Sequence, residues 1–262
     1  MGSLEEKVVI ITGAGHGLGR VMASAFAAEG ALLTLAGRRA ELLESSAAGL
    51  RADGHRAIAV VTDVTDESAV AAMVAATVKE YGRVDVMINN AGQPGKDLPI
   101  WEQTLENWNA TIAVDATATM LCSREVLRQS MLGRRAGSIV NFSSTASLEG
   151  VPRKSHYCTA KAGLRALTKV MAKEVGPYGI RVNCVVPGSI QGELQDNYWR
   201  RLASEQGVSV EEIGSRVTAT AALNKTATPE EVAAVALFLA SDASSAVTGQ
   251  SLTVDAGVRM PG

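Results

Sequence analysis

The chain has 262 residues, 47% hydrophobic and only 4% aromatic, with 25 glycines. That is enough for one large domain with an aliphatic, alanine-packed core. A net charge of −2 and a pI near 6.0 give no basic field for nucleic acid, and no apolar stretch reaches the roughly 18 residues of a membrane span.

In chain order, short apolar runs alternate with Ala-rich amphipathic stretches. MGSLEEKVVIITG enters the first run at once, without the basic-then-apolar order of a leader. Val8–Thr12 reads as a strand and Leu18–Glu29 as a helix. Leu32–Ala36 with Ala40–Ala52 repeats the pair, as do Ala57–Val61 with Glu67–Tyr81 and Val84–Asn89 with Thr104–Leu132. Ser138–Phe142 leads to one long helix from Ser155 to Val175. Arg181–Val185, a helix at Pro229–Ala240, and Ser251–Val254 complete the series. The strand runs are apolar throughout rather than alternating, which suits strands buried on both faces of a parallel sheet. Seven such strands joined by helices predict one doubly wound α/β domain over residues 1–262. One connection breaks the rhythm. Gln191–Ala227 is longer and more polar than the others, with helical pieces at Asn197–Gln206 and Val210–Ser215, and such excursions are often lids or binding loops. Cys122, Cys158 and Cys184 have neither metal-like nor CxxC spacing and read as reduced thiols of a cytoplasmic protein.

The first strand runs into Thr12-Gly13-Ala14-Gly15-His16-Gly17-Leu18-Gly19. Glycines at a strand-to-helix turn let the backbone approach a pyrophosphate, and the helix N-terminus supplies N–H groups. The common GxGxxG spacing fails at Leu18; what stands here is Gly-x-x-x-Gly-x-Gly on Gly13, Gly17 and Gly19. A dinucleotide site of this kind usually has an acid at the end of the second strand for the adenosine ribose. Gly37 stands at that point, followed by Arg38 and Arg39. An arginine there can pair with a 2′-phosphate, which favours NADP over NAD as cofactor. The alternative is two solvated residues opening the next helix.

Tyr157 and Lys161 are four residues apart in the long helix, so phenol and ammonium share a face. A fixed cation nearby favours a phenolate, and a tyrosine tuned in this way can exchange a proton with a carbonyl or alcohol oxygen. The three histidines, His16, His55 and His156, show no ligand spacing. Helical neighbours point in different directions, so His156 is expected at the pocket rim or without a role.

Four further pieces bring a family into view: Asn89-Asn90-Ala91-Gly92 after the fourth strand, Ser143-Ser144 closing the fifth in GSIVNFSS, Tyr157 thirteen residues beyond Ser144, and Pro187-Gly188 after the sixth. With TGAGHGLG, they resemble the short-chain dehydrogenase/reductase family over Lys7 to Gly257. The resemblance implies a single-domain Rossmann-like fold with a seven-stranded parallel sheet. It implies reversible hydride transfer between a nicotinamide and an alcohol or carbonyl carbon. Tyr157 matches the family's general acid/base. Lys161 matches the residue that binds the nicotinamide ribose and lowers the tyrosine pKa, and Ser144 the one that hydrogen-bonds the substrate oxygen. The cofactor set would comprise Gly13, Gly15, His16, Gly17, Leu18, Gly19, Arg38, Arg39, Asp63 and Val64 at the adenine edge, Asn90, Ala91, Gly92, Tyr157, Lys161, Pro187, Gly188 and Ile190. No metal is implied. A homotetramer is, with Thr104–Leu132 and Tyr157–Gly176 pairing across a dimer interface and the C-terminal strand region forming another.

Two positions depart from the family pattern. Asp115, in Ala113-Val114-Asp115-Ala116-Thr117, occupies the place of a catalytic Asn that helps hold a water in a proton relay from the lysine. An ionised Asp accepts but cannot donate a hydrogen bond, and its charge could pair with Lys161. Gly192 stands where the family often has a cofactor-touching Thr, which puts cofactor contacts beyond Gly188 in doubt.

Pocket walls in this family come from Gln93-Pro94-Gly95-Lys96, from Leu148–His156 and from the excursion, which carries Tyr198 and Trp199. They are polar here, and Arg153, Lys154 and His156 cluster before the tyrosine. The expected substrate is a small polar or anionic hydroxy or oxo compound. The alternative is that Arg153 and Lys154 are solvated surface charges. Reduction of 3-oxoacyl thioesters is a second expectation, and a dinucleotide-binding sensor or scaffold without turnover a third.

Overall fold

The computed structural model describes residues 2–260; Met1, Pro261 and Gly262, the ends of the expected 1–262 domain, lie outside the described residues. Strands β1 (Val8–Thr12), β2 (Leu32–Gly37), β3 (Ala57–Val61), β4 (Val86–Asn89), β5 (Gly137–Phe142), β6 (Ile180–Pro187) and β7 (Ser251–Val254) form one sheet in the order β3-β2-β1-β4-β5-β6-β7. Every pairing is parallel; Val9, for instance, lies opposite Leu33 on one side and Val86 on the other. Successive side chains alternate faces, so each apolar run serves two cores. Val9, Ile11, Leu33 and Leu35 join Met22, Phe26, Val232 and Leu239 from helices α1 (Gly17–Ala28) and α10 (Pro229–Ala240); α2 (Ala40–Ala52) adds Leu43 and Ala47. Ile10, Met87, Ile139 and Val182 join Met73, Val74, Val126 and Met171 from α3 (Glu67–Tyr81), α5 (Ala118–Val126) and α7 (Ser155–Val175).

Several element ends shift by one or two residues from the sequence reading, and three regions differ in a way that matters. The fourth strand begins at Val86 rather than Val84. Val84 N–H donates instead to Ser130 Oγ at 2.8 Å, and the Asp85 carboxylate accepts from Val8 N–H, Arg83 and Arg134 at 2.9, 2.8 and 2.7 Å. The expected single helix Thr104–Leu132 starts at α4 (Leu105–Ile112), behind a Thr104 cap, and then carries π-helical turns at Ala113–Thr117 and Leu127–Met131 around α5 before ending in α6 (Leu132–Arg134). In the excursion the helices are longer than expected: α8 spans Glu193–Gln206 and α9 Val210–Ala219.

Asp85 yields a stability prediction. Burial works to raise its pKa, but the Val8 N–H and the two guanidiniums together hold it below the usual carboxylate value. A depressed folded-state pKa contributes stability that is present above the unfolded value and lost as pH falls through the folded one. Asp85→Asn is expected to lower urea stability by about 2 kcal/mol near neutrality. The difference should shrink as the pH is taken below 3.8.

Strand order reverses between β1 and β4, and ligands of doubly wound sheets bind at such switch points, beyond the C-terminal strand ends. Here the two loops at that point are stitched together. Thr12 Oγ1 accepts from Asn90 and Ala91 N–H, both at 3.1 Å, and Asn90 Nδ2 donates to Thr12 O at 2.9 Å. Beneath them Asn89 Nδ2 donates to Ser123 and Asn141, and Asn141 Nδ2 to Thr168. This buried chain fixes α5 and α7 to the strand ends that carry the site.

Candidate active site

Two cavities open on that crevice and meet at Gly92. The smaller, about 530 Å³, is lined by Gly13, Gly15, His16, Arg38, Arg39, Asp63, Val64 and Ala91. α1 begins beside it, and the His16 side chain makes no capping bond, so the first-turn N–H groups remain available to an anion. Gly17 has φ +54 at the helix start, a left-handed conformation that favours glycine. Gly19 is needed for packing. A Cβ there would lie 2.2 Å from Gly13 O, so its absence lets helix and loop come together. Burial, followed by the Arg39 charge, holds His16 below its usual pKa. Asp63 is held below the carboxylate range chiefly by the Thr65 N–H and hydroxyl.

The larger cavity, about 760 Å³, brings together Leu18, Asn90, Asp115, Ser144, Tyr157, Lys161, Pro187, Gly188 and Ile190. These residues lie far apart along the chain, and the sheet's C-terminal edge brings them together. The two serines of GSIVNFSS differ in what they have free. Ser143 Oγ donates to Lys161 O at 2.7 Å. Ser144 Oγ accepts from Ala146 N–H at 3.2 Å as the cap of a short 3₁₀ turn, which leaves its proton to give. Tyr157 lies in the first turn of α7, its ring 5.6 Å from Lys161 Nζ and 5.9 Å from Lys154 Nζ. Lys161 Nζ donates to Phe142 O at 3.1 Å and pairs with Asp115 Oδ1 at 3.3 Å. An ammonium carries three donors, so one remains for a ligand.

Asp115 points inward from the first π-helical turn, its side chain fully buried. Oδ1 also accepts from Gln93 N–H at 3.0 Å, while the buried Oδ2 has no partner. Burial pushes the Asp115 pKa up against the opposing pull of Lys161. Gly92 makes the pair possible, because a Cβ there would sit 2.6 Å from Asp115 Oδ1 and 3.3 Å from Lys161 Nζ.

His156 is neither at the rim nor idle. It is fully buried and its Nε2 meets Pro94 O at 3.0 Å, pinning the loop after β4 to α7. Gly95 (φ +66) gives it room. Arg153 is exposed and donates from Nη2 to Asp97 O at 3.2 Å, whereas Lys154 is largely withdrawn into the cavity wall. Asp97, Leu194, Gln195 and Arg201 also line the cavity. No sequence signal marked them, because their meeting depends on how α8 folds over the loop after β4.

Among the described residues no His, Cys, Asp or Glu group could hold a metal, and no helix is long and apolar enough to cross a membrane. The family model described as enoyl-(acyl carrier protein) reductase matches residues 13–259. A cis-4-hydroxycyclohexanecarboxylate dehydrogenase of Sinomonas cyclohexanicum is 38% identical over 252 residues, covering 96% of each chain. An NAD+-bound xylitol dehydrogenase superposes with a TM-score of 0.90 at 30% identity, over 97% of this chain and 99% of that one. A variant actinorhodin polyketide ketoreductase with NADPH gives 0.91 at 32%, over 98% and 99%. The chain belongs to the short-chain dehydrogenase/reductase family and is a nicotinamide-dependent oxidoreductase of alcohols and carbonyl compounds.

Proposed function

We propose that the protein oxidises a small polar or anionic secondary alcohol, or reduces the matching carbonyl, with Tyr157 as general acid/base and NADP as the favoured cofactor. The observation that carries this reading is the convergence of Ser144, Tyr157 and Lys161 in one cavity that meets the glycine-loop cavity at Gly92. The residues fit a dinucleotide: an uncapped α1 N-terminus for phosphates, Asp63 and Val64 at the adenine end, and Pro187 and Gly188 beside the reactive end. When bound, the nicotinamide supplies or accepts the hydride. Tyr157 gives its phenolic proton to the carbonyl oxygen, or takes one from the alcohol. Ser144 donates to the same oxygen, where charge develops in the transition state. Lys161 directs its third donor to the ribose. The relative named for a hydroxycyclohexanecarboxylate acts, by that name, on a hydroxy acid, which supports the substrate class. A cytoplasmic homotetramer folded as one domain completes the proposal; exposed Met120 on α5 and Val170 on α7 support pairing of those helices.

The test is a screen of alcohols, ketones and 3-oxoacyl thioesters with NADP and NAD. Turnover of small polar substrates is expected. Preference for 3-oxoacyl thioesters would move the assignment to acyl-chain reduction, and cofactor binding without turnover to a sensor.

Arg38, Arg39 and His16 line one cavity with no acid at Gly37. Loss of charge-assisted phosphate bonds weakens binding by about tenfold to a hundredfold. An Arg38→Ala/Arg39→Ala double variant should therefore raise the KM for NADPH by that much and for NADH by less than about threefold. Equal loss for both cofactors would assign the arginines to the helix surface.

Asp115 also acts on the pH profile, as a positioning residue for Lys161. Its folded-state pKa is raised by burial, so at low pH it is neutral and at higher pH it is a carboxylate that offsets the lysine charge. Asn mimics the neutral form at every pH. In Asp115→Asn the ascending limb of the alcohol-oxidation profile should move to lower pH by about one unit. A superimposable profile would remove Asp115 from the relay.

A further inference from the structure

The cavity is positive although the chain as a whole is negative. Lys96, Lys154, Lys161 and Arg201 line it against Asp97 and Asp115, while the net charge of the protein is −2. Deep in the cavity Lys161 is matched by Asp115. At the outer end one carboxylate, Asp97, faces two cations: Arg201 at 2.6 Å and Lys154 at 3.8 Å. The second distance is beyond hydrogen-bond reach, so the Lys154 ammonium gives no hydrogen bond to Asp97 while only 19% of its side chain meets solvent. Glu205 lies 3.8 Å from Arg201 along α8 and does not line the cavity.

Aromatic rings organise these charges. Lys154 Nζ sits 5.1 Å from the Tyr198 ring and 5.9 Å from the Tyr157 ring, and the Arg201 guanidinium sits 5.3 Å from the Tyr198 ring. A series therefore leads outward from the reacting end: Lys161, Tyr157, Lys154, Tyr198, Arg201. Cation–π contact holds a charge in place without neutralising it. A neutral substrate would leave Lys154 partly desolvated and incompletely paired, whereas a carboxylate entering beside Tyr157 would complete its partners.

We propose that the substrate is a hydroxy or oxo compound bearing a carboxylate, bound by Lys154 and Arg201, with Asp97 occupying the anion's place when no substrate is present. The inference rests on the oxidoreductase reading above and names the group that its specificity turns on. Asp97 and Arg201 also join the loop after β4 to α8, so exchange of Asp97 for a substrate carboxylate would couple binding to the seating of that helix.

The test uses 3-oxobutanoate, 4-oxopentanoate and 5-oxohexanoate, each beside its methyl ester, with NADPH and NADH and the full-length protein. The readout is the acid-to-ester ratio of kcat/KM, which cancels losses common to both. Wild type should prefer the acid in at least one pair. Lys154→Met and Arg201→Met should each lower that ratio by about tenfold or more, mainly through KM for the acid. Asp97→Asn should raise it, because it removes the competing carboxylate. A wild-type ratio near one, or a ratio that Lys154→Met and Asp97→Asn leave unchanged while both rates fall together, would assign the ion pairs to holding α8 and overturn the inference without touching the oxidoreductase reading. Absence of Tyr157-dependent turnover of every acid and ester would overturn the carboxylate inference, and the oxidoreductase reading would fall with it only if the wider screen of alcohols, ketones and thioesters also gave no turnover.

Discussion

Tyr157→Phe is expected to lower kcat by about a thousandfold in both reaction directions while cofactor affinity changes by less than about twofold. The substitution removes one oxygen and keeps the ring, so the ring contacts with Lys154 and Lys161 at 5.9 and 5.6 Å are retained. Ser144 and Lys161 retain their own anchors, at Ala146 N–H and Phe142 O. The variant should therefore fold and bind like wild type but lack the group that delivers the proton. Ser144 cannot substitute, because an unassisted hydroxyl donates a hydrogen bond but is a poor acid near neutrality. Steady-state rates and cofactor titration by fluorescence check both halves. Wild-type turnover in the Phe variant would transfer the acid/base role to another group in the cavity.

Lys161→Met should lower kcat by about a hundredfold or more, and it should also destabilise the fold in a way that depends on Asp115. Removing one partner of a buried pair leaves an uncompensated charge, at about 3–5 kcal/mol. Asp115 is fully buried, its Oδ2 already has no partner, and burial already raises its pKa. A raised folded-state pKa for a carboxyl means that stability is greatest below the unfolded value and is lost as pH rises toward the folded one. The destabilisation by Lys161→Met should accordingly grow as pH rises above the unshifted carboxyl value of 3.8, and so be larger in a mildly alkaline than in an acidic buffer. Adding Asp115→Asn should recover most of it, because no carboxylate then remains to be buried. Activity should not return with stability, since the amide replaces neither the ammonium nor its donor to the ribose. A double-mutant cycle in urea at the two pH values measures the coupling. Additive losses that are flat with pH would show that the 3.3 Å approach of Lys161 and Asp115 carries little energy.

Much of this site is legible in the sequence for a physical reason. Gly13 to Gly19, Asn90 to Gly92 and Pro187-Gly188 each stand at the end of a strand, and parallel strands deliver their C-terminal ends to one edge. The strands themselves are apolar on both faces, so their runs are conspicuous; only Val84 and Asp85 mislead, because their apolar neighbourhood conceals hydrogen bonds made to Ser130, Val8 and two arginines. Other features leave no local trace. A π-helical turn adds one residue to a helix without altering its composition, so the widening at Ala113–Thr117 that aims Asp115 inward is invisible in the periodicity. His156 reads as a neighbour of Tyr157 on a helix surface, but the loop carrying Pro94 closes over it and buries it. The Asp97, Lys154 and Arg201 cluster joins three segments that are distant in sequence. Its existence depends on the placement of α8, in the one connection whose composition indicated only that it was long and polar.

The most direct measurement is isotopic. A good alcohol substrate carrying deuterium at the carbinol carbon would be oxidised with NADP and with NAD, and the reduced cofactor examined by mass spectrometry and NMR. With Tyr157, Lys161 and Ser144 in the roles above, the deuterium should appear on the nicotinamide ring, with a primary isotope effect on kcat/KM whenever chemistry limits the rate, and Tyr157→Phe should slow the transfer by about a thousandfold. Label lost to water, or a cofactor that binds and is never reduced by any alcohol of the screen, would contradict those roles.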